Sequence, residues 1–239
     1  MTRTDFREAV CIETQKICDS CSDKECLEDL QVFFTADGQS VIDNAVHVKI
    51  KSCEVLDVPL FVRPHLTRED FYNVEAVFYF GVTLATYSNL CALPSDITGL
   101  AFCSKIVTLC GGEGEVKTFS SAGPLCELPT ATLKCAAPIS LAARVEQCCP
   151  AFVEQLHELP ENIKCRFGAE IVPTAAGNKT VFATVGIFTI TSLERGAQMM
   201  IPTYDYLIPN RGCSSLIPEE EPCEIFSRME FPEHEFVSC

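Results

Sequence analysis

The stretch VEAVFYFGVTLATYS, residues 74–88, carries the clearest structural signal in this sequence. It is rich in aromatic and β-branched residues, which favour strands. Both of its alternating faces are apolar, whereas a strand at the surface of a sheet has one polar face. The stretch therefore predicts a central strand that is covered by a layer of structure on each side.

Other segments predict strands around this one. The segment HVKIKSCEVLDV (47–58) alternates less polar and more polar side chains from Val48 to Cys53, which indicates a half-buried strand. Further strand signals lie at 99–112, 114–121, 162–172, 178–194 and 197–208. Turns that contain glycine, at 111–114, 176–178 and 195–196, are predicted to connect successive members of this set.

Helical signals are few and short. Residues 23–30, with Ser22 or Asp23 as the N-cap, and residues 37–46 each predict a short helix. Residues 148–159 give the strongest helical pattern, since Phe152, Leu156 and Leu159 share one face and Pro150 suits a first turn. The predicted fold class is mainly β: an antiparallel β-sandwich or open barrel with a few short helices.

The chain of 239 residues divides into three predicted regions. Residues 1–45 form an N-terminal cysteine-rich segment, and residues 46–208 form a β-rich core. Similar strand content in 46–121 and 128–208 suggests two related β units within that core. Residues 209–239 contain several prolines and an acidic block, which predict an extended C-terminal arm rather than a strand.

Composition narrows the classes of partner. The chain has 33 Asp and Glu against 18 Lys and Arg, a net charge of −15, so binding to a nucleic-acid backbone is not expected. No apolar window is long enough for a transmembrane helix. The first residues, MTRTDFREAVCIETQ, have no signal-peptide pattern. We therefore expect synthesis in the cytoplasm without a signal peptide, although a secreted chain that had lost its signal peptide would look the same.

Motifs for catalysis are missing from the sequence. It has no nucleophile elbow, P-loop, dinucleotide fingerprint or zinc-protease helix motif, and its four histidines are widely separated. We therefore expect no enzymatic activity and no cofactor.

Sixteen cysteines are the strongest deviation in the composition. Cys18, Cys21 and Cys26 fall within the nine residues CDSCSDKEC (18–26), a spacing similar to that of half a zinc site. A structural zinc site needs four ligands, usually as two pairs, and the sequence has no second C-x-x-C motif. We therefore expect no bound metal and interpret the three thiols as disulfide or cross-link candidates.

Other cysteines also suggest links between subunits. Cys148 and Cys149 are adjacent and too close for an unstrained mutual disulfide, so each would bond a different partner. Cys213 and Cys223 have charged or turn-forming neighbours, and Cys239 is the last residue. Cys53 is expected in the core. The full set of cross-link candidates is Cys18, Cys21, Cys26, Cys148, Cys149, Cys213, Cys223 and Cys239.

Four segments resemble a group of uncharacterised cysteine-rich proteins from clostridial spore-forming bacteria. They are REAVCIETQKICDSCSDKECLEDLQVFF (7–34), GEGEVKTFSS (112–121), IPTYDYLIPNRGC (201–213) and EPCEIFSRMEFPEHEF (221–236). The cysteine content is also similar to that of self-assembling exosporium and spore-coat proteins. This resemblance implies a structural building block of a disulfide-cross-linked lattice or filament at the spore surface. Its partners would be further copies of itself and other cysteine-rich coat proteins.

Two alternatives remain open from the sequence. One is a metal or iron–sulfur protein of an anaerobe that uses Cys18, Cys21 and Cys26 with one distant cysteine. The other is a secreted β-sandwich binding domain that is held together by internal disulfides.

Overall fold

The computed structural model describes residues 8–89, 93–112, 119–120, 123–124, 128–147, 156, 159–175 and 177–203. Residues 15–195 form one compact unit. Residues 1–14 and 196–239 are grouped in a second unit, of which the described parts, 8–14 and 196–203, are both strand. The predicted C-terminal arm at 209–239 lies outside the described residues.

Strands dominate the described chain. In chain order they are β1 (Glu8–Val32), β2 (Phe34–Thr35), β3 (His47–Asp57), β4 (Leu60–Pro64), β5 (Phe71–Tyr87), β6 (Ser95–Cys110), β7 (Phe119–Ser120), β8 (Gly123–Pro124), β9 (Thr130–Cys135), β10 (Ile139–Gln147), β11 (Ile171–Val172) and β12 (Lys179–Thr203). Two helices lie among them, α1 (Ala36–Asn44) and α2 (Glu161–Arg166). The predicted class, mainly β and antiparallel with a sandwich-like layout and few short helices, is confirmed.

The first of the two main sheets, the β5 sheet, has β5 at its centre. β6 pairs with β5 along one edge. On the other edge, β3 pairs with the C-terminal half of β5 and β4 with its N-terminal half, so β3 and β4 lie end to end with Pro59 between them. The Pro59 carbonyl accepts a hydrogen bond from the Val77 amide at 3.1 Å, which carries the pairing across the interruption.

The second main sheet, the β12 sheet, follows the same plan. β12 is its central strand, with β1 on one edge. On the other edge, β9 and β10 pair with successive parts of β12 and lie end to end, interrupted near Pro138. The Ala136 amide donates to the Phe188 carbonyl at 3.0 Å within this interruption. Each sheet is thus a long central strand with one partner strand that a proline divides.

The main core lies between the two sheets. Alternate residues of β5, among them Phe78, Phe80 and Val82, are fully buried and belong to one cluster with Val181 and Val185 of β12. Burial of one such side chain stabilises the fold by about 1.5–3 kcal/mol. The other face of β5 is covered too, as Tyr79 packs in a second cluster with residues that follow β10: Leu156, Leu159, Ile163 and Ile171. The central strand predicted at 74–88 is therefore confirmed.

The β1 edge of one sheet meets the β6 edge of the other. Phe33, next to the end of β1, forms two backbone hydrogen bonds with Leu100 of β6, at 2.7 and 2.8 Å. Gly99 makes this approach possible, because a Cβ there would lie 2.5 Å from Val32 Cγ1 and 2.8 Å from the Phe33 carbonyl oxygen. One edge of the sandwich is closed in this way.

Further along the same edge, Lys105 of β6 forms ion pairs with Asp23 and Glu25 of β1. This edge explains why the helix predicted at 23–30 is wrong. Those residues belong to β1, where alternation turns both carboxylates and Leu27 inward. Pairing with β12 and the contacts with β6 outweigh a short local capping signal.

The strand predicted at 162–172 is also wrong, because residues 161–166 form α2 and only Ile171 and Val172 form a strand. Ile163 and Phe167 are four residues apart, a helical spacing, and both pack in the cluster that covers β5. The turn predicted at 195–196 is absent, since β12 runs through both residues. Gly196 is not among the glycines with positive φ, so this glycine lies in extended backbone.

The structure confirms one predicted helix and two further predicted strands. The helix predicted at 37–46 is confirmed as α1, which Thr35 caps by accepting a hydrogen bond from the Gly38 amide at 3.3 Å. The strands at 47–58 and 99–112 are confirmed, but a bulge between Ile50 and Ser52 shifts the alternation within β3. The predictions at 114–121 and 148–159 lie largely outside the described residues.

No helix of the described segments is long and apolar enough to cross a membrane.

Candidate functional site

The outward face of the β12 sheet carries large apolar side chains that no described element covers. Ile139 and Leu141 of β10 are 48% and 53% exposed, and Phe188 and Ile190 of β12 are 41% and 50% exposed. We call these four residues the β12 face. Scattered single apolar residues are ordinary at a protein surface, whereas a contiguous group on one sheet face is typical of an interaction site.

The sequence IFTITS (187–192) shows why this face is unusual. Ile187, Thr189 and Thr191 are buried toward the core, while Phe188 and Ile190 point outward. A strand selected for stability alone would bury the phenylalanine and isoleucine and expose the threonines. The opposite arrangement here indicates that the outward apolar side chains have a role outside the monomer's own core.

A groove of about 590 Å³ crosses this face, lined by residues of β1, β9 and β12 that include Lys24, Lys134, Phe188 and Ile190. Lys24 Nζ lies 5.7 Å from the centre of the Phe188 ring, a cation–π contact. Lys134 lies directly opposite Ile190 in the β9–β12 pairing. The β12 face therefore combines an apolar floor with two cations, in a chain whose net charge is −15.

One of the predicted cross-link cysteines, Cys26, lies on the same outward face as this groove. Cys26 is exposed and follows Lys24 by two residues on β1, so both point outward. Cys18 is partly exposed, and its Sγ lies 3.7 Å from the position of a Cβ at Gly112, just after the end of β6. Cys21 points the other way, into a buried cluster with Val74, Leu109 and Leu193, and so is poorly placed for a link between subunits.

This placement separates the three cysteines of the CDSCSDKEC motif. An extended strand sets Cys18 and Cys26 about 26 Å apart and puts Cys21 on the face opposite to Cys26. One metal ion could not bind all three thiolates in that arrangement, so the geometry counts against the metal-binding alternative. Within the described residues, no group of three or more His, Cys, Asp or Glu side chains is arranged to hold a metal.

All nine described cysteines are free thiols, and three of them, Cys11, Cys26 and Cys165, are exposed. Three others, Cys53, Cys103 and Cys135, pack against the main core. Burial raises the pKa of Cys53 to about 12 and that of Cys103 to about 11, so both stay protonated and unreactive at neutral pH. The predicted core position of Cys53 is correct. The predicted cross-link residues Cys148, Cys149, Cys213, Cys223 and Cys239 lie outside the described residues.

Cys165 and the β12 face were missed by sequence reasoning. The sequence predicts a strand at Cys165 and gives no reason to expect an exposed side chain there. The alternation in IFTITS was a usable signal. From the sequence alone, however, the face with Phe188 and Ile190 would be taken as the one that packs in the core.

Comparison with known proteins found no matching family model, no similar curated protein and no similar solved structure.

Proposed function

We propose that this protein is a structural building block that assembles with copies of itself into a lattice or filament, which disulfides between subunits then lock. The observation that carries this proposal is the inverted burial in β12, where Phe188 and Ile190 are exposed and Thr189 and Thr191 are buried. A partner that covers this face would remove apolar area from water at about 25 cal/mol per Å².

The distribution of thiols supports the same function. Cys26 lies on the same outward face as the apolar groove, and Cys165 is exposed on α2. Thiols at subunit contacts convert a reversible association into a covalent one when an oxidant is present. Thiols buried in the core, such as Cys53 and Cys103, take no part in this step.

We place the assembly in a spore outer layer, exosporium or coat, with further copies and other cysteine-rich coat proteins as partners. Such a layer is assembled inside a reducing cell and meets oxidant when that cell lyses. This order of assembly and oxidation suits a protein that folds with free thiols and is cross-linked afterwards. The resemblance to cysteine-rich proteins of clostridial spore-formers supports the same location.

The test is to purify the full chain under reductant and follow its size by light scattering and electron microscopy, with reductant kept and with reductant removed. We expect regular assemblies in both conditions and resistance to boiling in detergent only after oxidation. A sample alkylated with iodoacetamide before oxidation serves as the control and should dissociate in detergent. A strict monomer over a wide concentration range in both conditions would contradict the proposal.

A further inference from the structure

Two thiols lie near each other at the end of the edge between β1 and β6. The Cys18 Sγ lies 3.7 Å from the position of a Cβ at Gly112, which is two residues beyond Cys110, the last residue of β6. The Cys110 amide donates a hydrogen bond to Asp19 Oδ2 at 2.9 Å, and Asp19 directly follows Cys18 in sequence. Two separate contacts therefore hold the chain around Cys18 beside the chain around Cys110.

We propose that Cys18 and Cys110 form a disulfide within one chain when the protein meets an oxidant, and that this bond closes the β1–β6 edge covalently. The inference goes beyond the proposed function and is independent of self-assembly, because both thiols belong to the same subunit. It gives a redox modification site to a chain whose described cysteines are all free thiols. It also removes Cys18 from the thiols that are available for links between subunits.

Gly112 leaves room for this bond. A disulfide forms without strain when the two Cα atoms are about 4.4–6.8 Å apart, and the Cys18 thiol has to turn from Gly112 toward Cys110 to meet its partner. Gly112 has a φ of +75°, a conformation that favours glycine, and it places no side chain in the path of the Cys18 thiol.

The third thiol of this region, Cys21, is directed elsewhere. Cys21 packs in a buried cluster with Leu109, the residue before Cys110. Successive side chains of a strand point to opposite faces, so Cys110 points away from that cluster. Cys18 and Cys110 are both partly exposed, which lets a small oxidant reach each of them. Cys110 is therefore better placed to bond Cys18 than Cys21.

The oxidant can be a small-molecule disulfide such as oxidised glutathione. The thiolate of one cysteine attacks it, which forms a mixed disulfide and releases one reduced glutathione. The thiolate of the other cysteine then attacks the mixed disulfide, which forms the Cys18–Cys110 bond and releases a second reduced glutathione. The two cysteine thiols lose two electrons and two protons in total, and the two glutathione molecules gain them.

The bond would complete the closure of this edge of the sandwich. Hydrogen bonds between Phe33 and Leu100 join the strands at one end, and the ion pairs of Lys105 join them further along. A disulfide between Cys18 and Cys110 closes a loop of about 90 residues, which restricts the unfolded chain. We expect oxidation to raise the melting temperature by about 5–15 °C through this bond.

The test starts from the full chain, which is purified in reductant and then treated with oxidised glutathione. Remaining thiols are blocked with iodoacetamide before digestion with trypsin. Cleavage after lysine gives the peptide 17–24, which contains Cys18 and Cys21, and the peptide 106–117, which contains Cys110. Mass spectrometry should find these two peptides joined, two hydrogens lighter than their sum. Fragmentation between Cys18 and Cys21 identifies which of the two is bonded.

A mixture of isotope-labelled and unlabelled protein shows whether the bond lies within one chain. Both peptides of a joined pair should then carry the label, or neither should. The bond is wrong if the joined pairs combine a labelled and an unlabelled peptide, or if the bonded residue is Cys21. It is also wrong if Cys18 and Cys110 are both alkylated in a sample whose exposed Cys26 has been oxidised.

Three variants connect the bond to stability. Cys18→Ser and Cys110→Ser should each lose the joined peptides and the rise in melting temperature on oxidation. Cys26→Ser is the matched control, because Cys26 is an exposed thiol on the same strand, and it should keep both. An equal rise in all three variants would overturn the proposal. A chain that stays monomeric in light scattering would contradict self-assembly, whereas the peptide measurement reports on the Cys18–Cys110 bond alone.

Discussion

Gly99 shows how a single residue fixes the joint between the two sheets. Its missing side chain lets the chain at Val32 and Phe33 reach β6 and form the paired hydrogen bonds with Leu100. A Cβ at Gly99 would lie 2.5 Å from Val32 Cγ1, 2.6 Å from Phe34 Cε1 and 2.8 Å from the Phe33 carbonyl oxygen. Two of these neighbours are fully buried side chains and the third is backbone, so none of them has room to move away.

We therefore expect Gly99→Ala to lower the free energy of unfolding by about 1–3 kcal/mol, the usual cost of forcing atoms into a packed core. Urea unfolding followed by circular dichroism measures this change. Gly196→Ala is the matched control, because nothing lies within 4 Å of a Cβ at that position, and it should leave the stability nearly unchanged. Equal effects of the two substitutions would show that the close approach at Gly99 does not limit the fold.

At the scale of elements, the edge between β1 and β6 depends on one cation. The side chain of Lys105 is only 18% exposed and is held by Asp23 and Glu25. Hydrogen bonding from Lys105 lowers the pKa of Asp23 below its usual value of 3.8. A lowered carboxyl pKa gives stability that is present above the unfolded-state pKa and is lost as the pH falls through the folded-state pKa.

Replacing Lys105 with Leu would leave two carboxylates side by side without a counter-charge. We expect Lys105→Leu to lower the free energy of unfolding at pH 7 by about 1–2 kcal/mol, less than for a fully buried pair because solvent screens the carboxylates. The difference from the wild type should shrink between about pH 4 and pH 2, since protonation removes both the attraction and the repulsion. Urea titrations across this range measure it.

Lys51→Leu is the control for this prediction. Lys51 pairs with Asp96, and both side chains are about half exposed, so its loss should cost less than about 1 kcal/mol. A pH-independent effect of Lys105→Leu would mean that the ion pairs do not account for the stability of this edge.

The sequence predicted strands and helices correctly where the apolar pattern of a segment matches the burial of its side chains in the fold. β5 was evident because both of its faces are apolar, and the short helical signal at 37–46 corresponds to α1, whose N-cap Thr35 was not part of that prediction. β1 was mistaken for a helix at 23–30, since its inward Asp23 and Glu25 are explained only by Lys105, which is 80 residues away in sequence. β9 and β10 were not predicted as separate strands, because the long pairing partner that defines them is β12.

The candidate site was predictable only in part, because it also depends on contacts between strands that are distant in sequence. Sequence identified Cys26 as a cross-link candidate but placed Cys18, Cys21 and Cys26 together. The strand conformation of β1 then separated them, with Cys21 in the core. Which face of β12 points outward depends on the sheet packed against it, so the exposure of Phe188 and Ile190 followed only from the tertiary structure.

At the scale of the whole molecule, the two sheets share a construction. Each has one long central strand and a partner strand that a proline divides, at Pro59 in the β5 sheet and near Pro138 in the β12 sheet. Because the inner faces meet in one core, the two outer faces point in opposite directions. Among the described residues, the layer with Ile163 covers part of the outer face of the β5 sheet, whereas Phe188 and Ile190 on the outer face of the β12 sheet stay exposed.

Net charge sets the conditions under which such subunits associate. Two copies that each carry −15 repel one another over the Debye length, about 30 Å at 0.01 M salt and about 8 Å at 0.15 M. An exposed ion pair at a contact between subunits would contribute only about 0–1 kcal/mol. Repulsion between whole subunits should therefore outweigh these local attractions at low salt.

We predict that raising sodium chloride from about 10 mM to about 300 mM at pH 7, in reductant, increases assembly, because screening weakens the long-range repulsion and leaves the apolar contact intact. Static light scattering over a range of protein concentrations measures the change in average mass. The Ile190→Asp variant is the control and should stay monomeric at both salt concentrations, because it keeps the charge repulsion but lacks an apolar side chain of the β12 face. If salt instead dissolves assemblies of the wild type, charge pairs rather than Phe188 and Ile190 hold the subunits together.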